Sequence, residues 1–214
     1  MTKTHDKANK LFLITGFLAG WFALITQLYL IIQNNQIPVI ESLTRYFSYF
    51  TILTNIMVAL CFTQLLFNFS KKESSFISKP RNLASITLYI FVVGLVYNLI
   101  LRFTWQPQGL QRLVDEILHL FIPVLFLLYW LIFAAKSTLK WLDAFSWLIY
   151  PFVYLVFVLI RGHFSGFYPY PFLDVLTLGY QKIMINSFYL LIVFLVLSLI
   201  LVWIGKRISK PLLT

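Results

Sequence analysis

The sequence has few charged residues and a single cysteine. Charged residues make up 11% of its 214 positions, whereas 60% are hydrophobic; an ordinary soluble domain has roughly 25% charged residues. So much apolar surface cannot be buried in one core and requires lipid as its solvent. Cys61 lies inside an apolar run, so neither an internal disulfide nor a cysteine-based metal site is available to this chain.

Long hydrophobic runs predict a six-helix transmembrane bundle. Each run is near the roughly 20 residues needed to cross a bilayer as a helix. The first is too long for a removable signal peptide and lacks a small-residue cleavage signature, so we expect it to be retained. With short loops between them, the runs predict one all-α membrane domain with helices at about 11–33, 45–68, 83–103, 113–134, 143–161 and 184–205.

The basic residues predict the orientation of this bundle. Most flank one set of helix ends: Lys3, Lys7, Lys10, Lys71, Lys72, Lys79, Arg81, Lys136, Lys140, Lys206, Arg207 and Lys210. Fewer flank the other set: Arg45, Arg102, Arg112, Arg161 and Lys182. The positive-inside rule therefore predicts a multi-pass cell-membrane protein with both termini in the cytoplasm. This asymmetry explains the formal charge of +10 without a nucleic-acid partner.

The fifth loop differs from the others in composition. Residues 161–182, RGHFSGFYPYPFLDVLTLGYQK, are rich in glycine, proline and tyrosine. Such a composition predicts a structured cap that lies at the membrane interface over the outer end of the bundle. The chain shows no convincing internal repeat, which weighs against an inverted-repeat transporter.

Polar residues at membrane depth normally face the interior of a bundle, because exposing them to lipid is costly. In the second predicted helix, Ser48, Thr51 and Asn55 are spaced i, i+3 and i+7 and are expected to share one face. In the fourth, Asp115 and His119 are four residues apart on one face. Pro123 is expected to free the carbonyl of His119 and to bend the helix.

Three further helices contribute polar residues to the same half of the bundle. They are Asn98 and Arg102 in the third helix, Arg161 and His163 at the end of the fifth, and Lys182 and Asn186 in the sixth. Together these residues predict a shared polar cavity. The alternatives are asparagines that only join helices, arginines that reach the interface and a structural histidine. His163 and Asp174 lack metal-ligand spacing, so no metal or cofactor is expected.

Several segments resemble a known family. RYFSYFTILTN, VVGLVYNLILR, DEILHLFIPVLFLLYW, WLIYPFVYLVFVLIRG and YPYPFLDVLTLGY together resemble the bacterial six-pass Pr6Pr family over nearly the whole chain. That family is distantly similar to the eukaryotic androgen-induced membrane-protein family. Members of the eukaryotic family hydrolyse fatty acid esters of hydroxy fatty acids, using a threonine nucleophile on helix 2 and a histidine on helix 4.

The resemblance implies a membrane-embedded lipid ester hydrolase that works by covalent acyl transfer. His119 corresponds to the family histidine, with Asp115 orienting it. An ungapped alignment puts the family threonine at Ser48, whereas Thr51 keeps the residue type one turn deeper, so both remain candidates. The implied substrate-binding residues, including oxyanion donors and head-group contacts, are Asn55, Asn98, Arg102, Arg161, His163, Lys182 and Asn186.

Two other classes of protein fit the same pattern. One is a non-catalytic protein that binds or transports a lipid or small molecule through the same cavity. The other is a scaffold subunit, in which the polar residues serve only to join helices. The inner halves of the predicted helices, such as MVALCF and LYIFVV, supply little of the polar route that transport needs.

Overall fold

The computed structural model describes residues 3–34, 37–69, 76–104 and 106–209. Over these ranges the chain is helical and contains no β-strand, as predicted. Within these ranges, six stretches are long and apolar enough to cross a membrane, as expected for a multi-pass membrane protein. They are Lys3–Asn34, Phe50–Phe67, Pro80–Phe103, Gly109–Phe133, Trp141–Ser165 and Val175–Ile208.

The first and third spans are the most regular. Helix α1 runs from Lys3 to Asn34 without a break. Helix α4 runs from Pro80 to Leu99 and continues into a 3-10 turn, Leu101–Phe103. Proline is favourable at the first position of α4, because the N–H it lacks would have no partner there.

The second predicted helix, over 45–68, is interrupted near its start, so a single helix over this range is wrong. The segment folds as helix α2, Val39–Tyr46, and helix α3, Phe50–Phe67. Tyr49 has extended backbone angles between them. Ser48 therefore does not share a continuous helix face with Thr51. The segment changes in character at this point, because α2 carries Glu41 and Arg45 whereas α3 has no charged residue.

Tyrosine hydroxyls from distant segments replace the missing backbone partners at the break. The N–H of Phe50 donates to Oη of Tyr154 at 3.1 Å, and the N–H of Thr51 donates to Oη of Tyr170 at 3.2 Å. The Tyr154 hydroxyl in turn donates to the carbonyl of Ser48 at 2.8 Å. The first N–H groups of a helix need such partners, above all where water is absent.

The fourth and fifth spans are also composite. The fourth consists of α5, Gly109–Glu116, a π-helical turn, Ile117–Phe121, and α6, Ile122–Phe133. The fifth consists of α7, Trp141–Ser146, and α8, Ile149–Ser165. Irregular backbone before Pro123 agrees with the bend predicted there.

The last span is one long helix with a local kink. Helix α9 runs from Val175 to Ile208, and Gly179 within it has a φ of 72°. Side chains with a Cβ rarely adopt this left-handed conformation, so glycine is required at the kink. Between α8 and α9, residues 166–174 include a short 3-10 turn, Pro171–Leu173.

Close helix packing forms the apolar core. Trp130, Phe62 and Phe126 are fully buried, and the rings of Phe62 and Phe126 meet edge to face. A Cβ at Gly16 of α1 would lie 2.4 Å from the Phe62 ring, so only glycine allows α1 to approach α3 this closely. Cys61 is fully buried in the same core.

Several contacts join the chain segments at one end of the bundle, here called the Lys136 end. Arg81 pairs with Asp143 at 3.2 Å, and Lys136 donates to the carbonyls that end α6, at 3.1 and 2.6 Å. The opposite end, with residues 166–174, is called the Tyr170 end. Many of the basic residues used to predict the orientation lie near the Lys136 end, whereas Lys71, Lys72 and Lys210 lie outside the described residues.

We expect Tyr154→Phe to destabilise the protein, because the substitution leaves both the Phe50 N–H and the Ser48 carbonyl without a partner. Each unsatisfied buried group costs about 1–3 kcal/mol. Thermal unfolding in one detergent measures the effect. Tyr189→Phe is the matched control, since Tyr189 is exposed on α9. Equal melting temperatures for the two variants would contradict the role of Tyr154 at the break.

Candidate functional site

An apolar cavity of about 240 Å³ lies beside the start of α3. Its walls come from α3, α4, α8, α9 and residues 166–174, and no charged residue of the described chain lines it. Most of the lining is aliphatic or aromatic, including Val92, Val96, Phe172, Leu191 and Phe194. The hydroxyl-bearing residues in the lining are Thr51, Tyr97, Tyr154, Tyr170 and Ser187.

Thr51 is a predicted nucleophile that lines the cavity. It lies in the first turn of α3, and its Oγ1 is 3.3 Å from Oη of Tyr170. Burial raises the pKa of Tyr170 to about 12, so its phenol is protonated at neutral pH. Tyr170 can therefore serve as a hydrogen-bond donor beside Thr51 and not as a base.

Ser48, the other predicted nucleophile, is placed differently. It is fully buried and lies in the break between α2 and α3. Its hydroxyl donates to the carbonyl of Thr44 at 2.6 Å, and it is not part of the cavity lining. This arrangement is the local back-bonding typical of serine in helices, so the geometry favours Thr51 over Ser48.

His119 and Asp115 are paired, as their spacing predicts. Nδ1 of His119 is 2.9 Å from the Asp115 carbonyl oxygen and 3.2 Å from Oδ1 of the carboxylate. Tyr97 of α4 completes the group. Its hydroxyl donates to the Asp115 carboxylate, and its ring stacks on the imidazole with centroids 3.9 Å apart.

Tyr97 contacts both His119 and the cavity, because the residue belongs to the cavity lining and its ring stacks on the imidazole. His119 itself does not line the cavity. Over the described residues, no hydrogen bond joins the imidazole to the hydroxyl of Thr51 or Ser48. The structure thus places Thr51 in the lining of this cavity and His119 outside it, so the predicted residues lie in two neighbouring groups.

The carbonyl of His119 is freed by Pro123, as predicted, and receives a side-chain donor instead. Nδ2 of Asn98 donates to it at 3.1 Å and to the Gly94 carbonyl at 2.7 Å. A Cβ on Gly94 would lie 3.0 Å from Cβ of Pro123 and 3.1 Å from the His119 carbonyl oxygen. Glycine at this position therefore lets α4 approach the π-helical turn.

Asn55 links the two groups of residues. Its Nδ2 donates to the carbonyl of Thr51 at 2.9 Å and to that of Leu118 at 3.3 Å. The side chain is 1% exposed, and its Oδ1 has no partner among the described residues. Asn55 thus holds the start of α3 against the π-helical turn that carries His119.

Arg102 belongs to an ion pair outside the cavity. Its two terminal nitrogens bind the Glu116 carboxylate at 2.7 and 2.6 Å, and its Nε donates to Oδ1 of Asn98 at 2.9 Å. The donors of Asn98 and Arg102 are thus engaged with protein groups. This geometry does not offer them as oxyanion donors at Thr51.

The remaining predicted binding residues lie outside the cavity lining. Arg161 approaches Glu41 at 3.3 Å, and Nδ1 of His163 is 3.4 Å from Oη of Tyr180. Asn186 donates to the carbonyl of Phe172 at 3.0 Å, which fixes residues 166–174 against α9. Lys182 is exposed.

The sequence analysis did not identify the tyrosines as site residues. Tyr97, Tyr154 and Tyr170 carry most of the cavity's polar contacts. The sequence does contain one signal, the i and i+4 spacing of Tyr150 and Tyr154, which places both on one helix face. In the structure Tyr150 contacts Thr54 of α3, and Tyr154 binds the Ser48 carbonyl between α2 and α3. The role of Tyr170 depends on how residues 166–174 fold, which periodicity does not report.

Comparison of the chain with protein-family models, curated proteins and solved structures gave no match in any of the three. A functional assignment therefore depends on the geometry of the site and on the residue patterns of the sequence. The geometry contributes an apolar cavity that contains Thr51 and a neighbouring histidine–aspartate pair.

We expect Asn98→Leu to destabilise the protein by about 1–3 kcal/mol, because it leaves the His119 carbonyl without a donor. The cost is expected to be smaller in a Pro123→Ala background, where residue 123 regains an N–H that can donate to this carbonyl. A double-mutant cycle of unfolding free energies in detergent measures the difference. An equal cost in both backgrounds would show that Asn98 does not compensate for the proline.

Proposed function

We propose that this chain is a membrane-embedded lipid ester hydrolase in which Thr51 is the nucleophile and the cavity holds the acyl chain. The observation that carries the proposal is the Thr51 hydroxyl, which lines an apolar cavity and lies 3.3 Å from a second hydroxyl. The resemblance of the sequence to the Pr6Pr family, and through it to hydrolases of fatty acid esters of hydroxy fatty acids, supports the same chemistry.

The lining of the cavity suits an uncharged part of a lipid. Its walls are hydrocarbon and aromatic, and a charged group placed there would be desolvated without a counter-ion. An ester carbonyl fits the polar groups better, because it needs only hydrogen-bond donors. We therefore propose that the ester and its acyl chain bind in the cavity.

The proposed reaction has two steps. In the first, Oγ1 of Thr51 attacks the ester carbonyl carbon, its proton passes to Nε2 of His119, and the departing alcohol takes that proton. In the second, water attacks the acyl-threonine while His119 accepts and returns a proton, so the fatty acid leaves and Thr51 is restored. The Tyr170 hydroxyl donates to the oxyanion of each tetrahedral intermediate. Asp115 orients the imidazole and stabilises its cation.

Proton transfer to His119 requires a movement of Tyr97. In the structure its ring stacks on the imidazole, and His119 does not line the cavity. We propose that Tyr97 turns aside when a substrate fills the cavity, which brings Thr51 and the imidazole within reach of each other. Catalytic contacts are commonly longer in unliganded enzymes and shorten with substrate.

The proposal also assigns an orientation. We place the protein in the cell membrane with both termini in the cytoplasm, because the basic residues concentrate at the Lys136 end. The Tyr170 end then faces outward, and residues 166–174 form the interfacial cap. The lipid substrate enters from the membrane.

We expect Thr51→Val to abolish hydrolysis, because valine has nearly the same shape but no nucleophile. His119→Ala should also be inactive, whereas Thr51→Ser should retain activity. Ser48→Ala is the matched control, since the Ser48 hydroxyl donates only to the Thr44 carbonyl, and it should keep full turnover. Purified protein in detergent is assayed with a fatty acid ester of a hydroxy fatty acid and with a neutral fatty acyl ester. Undiminished turnover by folded Thr51→Val would overturn the assignment.

A second candidate function is lipid binding without catalysis. It is favoured by one observation, that His119 stacks on Tyr97 and does not line the cavity. In that case the same cavity would hold a lipid chain, and the His119–Asp115 pair would only join helices.

We expect Val96→Phe to reduce the lipid that copurifies with the protein, because the added ring occupies part of the cavity. Val153→Phe on α8 is the matched control, because Val153 is exposed and does not line the cavity. Native mass spectrometry measures the bound lipid. Loss of lipid in Val96→Phe, together with no turnover by the unchanged protein, would favour binding alone. Equal lipid in both variants would show that the cavity is not the binding site.

A further inference from the structure

Two arginines share one carboxylate near the Tyr170 end, outside the cavity. Nε of Arg45 donates to Oε1 of Glu41 at 2.7 Å, and Nη2 of Arg161 donates to the same oxygen at 3.3 Å. The hydrogen bond from Arg45 lowers the pKa of Glu41, so the carboxylate is ionised at neutral pH. It neutralises one guanidinium and leaves one positive charge in the group.

The two guanidiniums also have donors without acceptors. Nε of Arg161 is buried and has no partner among the described residues. The other contacts of Arg161 are long, at 3.4 Å to Oγ of Ser165 and to the Phe167 carbonyl. In the described part of the chain, the terminal nitrogens of Arg45 donate to no residue. A buried charged donor of this kind is costly unless an anion completes its hydrogen bonds.

The Phe167 ring holds the two guanidiniums in place. The Cζ atom of Arg45 lies 4.5 Å from the ring centre, and that of Arg161 lies 4.9 Å from it. The side chain of Arg161 is only 10% exposed, which does not fit an arginine that simply extends into the interface. Stacked, immobilised guanidiniums are suited to bind an oxyanion with paired hydrogen bonds.

We propose that Arg45 and Arg161 form a binding site for a phosphate group, as carried by a phospholipid headgroup or by free phosphate. The site is separate from the uncharged cavity, and it does not depend on catalysis at Thr51. Tyr49 connects the two regions, because its ring lies 6.2 Å from that of Phe167 and 5.8 Å from that of Tyr170. A phospholipid held at this site would have its chains beside the Tyr170 end of the bundle.

Native mass spectrometry of the purified full chain tests the proposal with phosphatidylglycerol added in detergent. Arg161→Gln and Arg45→Gln should each weaken binding about tenfold or more, the effect of losing a charged hydrogen bond. Lys182→Gln removes an exposed positive charge near the same end and should leave binding unchanged. Thr51→Val should also bind normally, which separates this site from the proposed reaction.

Competition distinguishes the two sources of phosphate. Displacement of phosphatidylglycerol by millimolar inorganic phosphate, in an arginine-dependent way, supports a site for free phosphate. Retention of the lipid under the same conditions supports a headgroup site. Circular dichroism checks folding, and if Arg161→Gln is unfolded, Arg45→Gln decides. Unchanged binding in folded Arg45→Gln, or an equal loss in Lys182→Gln, would overturn the proposal.

Discussion

The fold of this protein depends on tyrosine hydroxyls that bind the backbone at the break between α2 and α3. A helix that starts inside an apolar bundle exposes N–H groups that lipid cannot satisfy. Tyr154 and Tyr170 accept hydrogen bonds from the first two residues of α3, and they come from α8 and from the segment that follows it. The break is therefore stable only when these distant segments are in place, which ties the start of α3 to the Tyr170 end of the fold.

This constraint also shapes the cavity. Because the tyrosines that bind the α3 N-terminus line the cavity, the Thr51 hydroxyl is held at an apolar surface next to a protonated phenol. Asn55 fixes the same turn against the carbonyl of Leu118, and the adjacent His119 is paired with Asp115. Charged groups such as Arg102 and Glu116 are paired with each other outside the cavity, which leaves the cavity neutral.

Local patterns in the sequence predicted the features that depend on local spacing. Hydropathy located the six spans, the i and i+4 spacing predicted the contact between Asp115 and His119, and Pro123 predicted a freed carbonyl. The break before Phe50 was missed, because the predicted run joined Arg45 and Ser48 to the apolar residues that follow, and the tyrosines that accept the exposed N–H groups are distant in the sequence. The Glu116 partner of Arg102 and the Glu41 partner of Arg161 were also missed, since each lies on another helix and contacts between helices leave no periodic signal.

Tyr97 belongs to two groups at once, because it lines the cavity and also binds Asp115 and stacks on His119. A cavity ligand that prefers one position of this ring changes the surroundings of the imidazole. Linkage is reciprocal, so a change in the contacts of the imidazole must alter the affinity of that ligand by the same factor. Occupancy of the cavity and the hydrogen bonding of a histidine that does not line it are thereby coupled through one shared aromatic side chain.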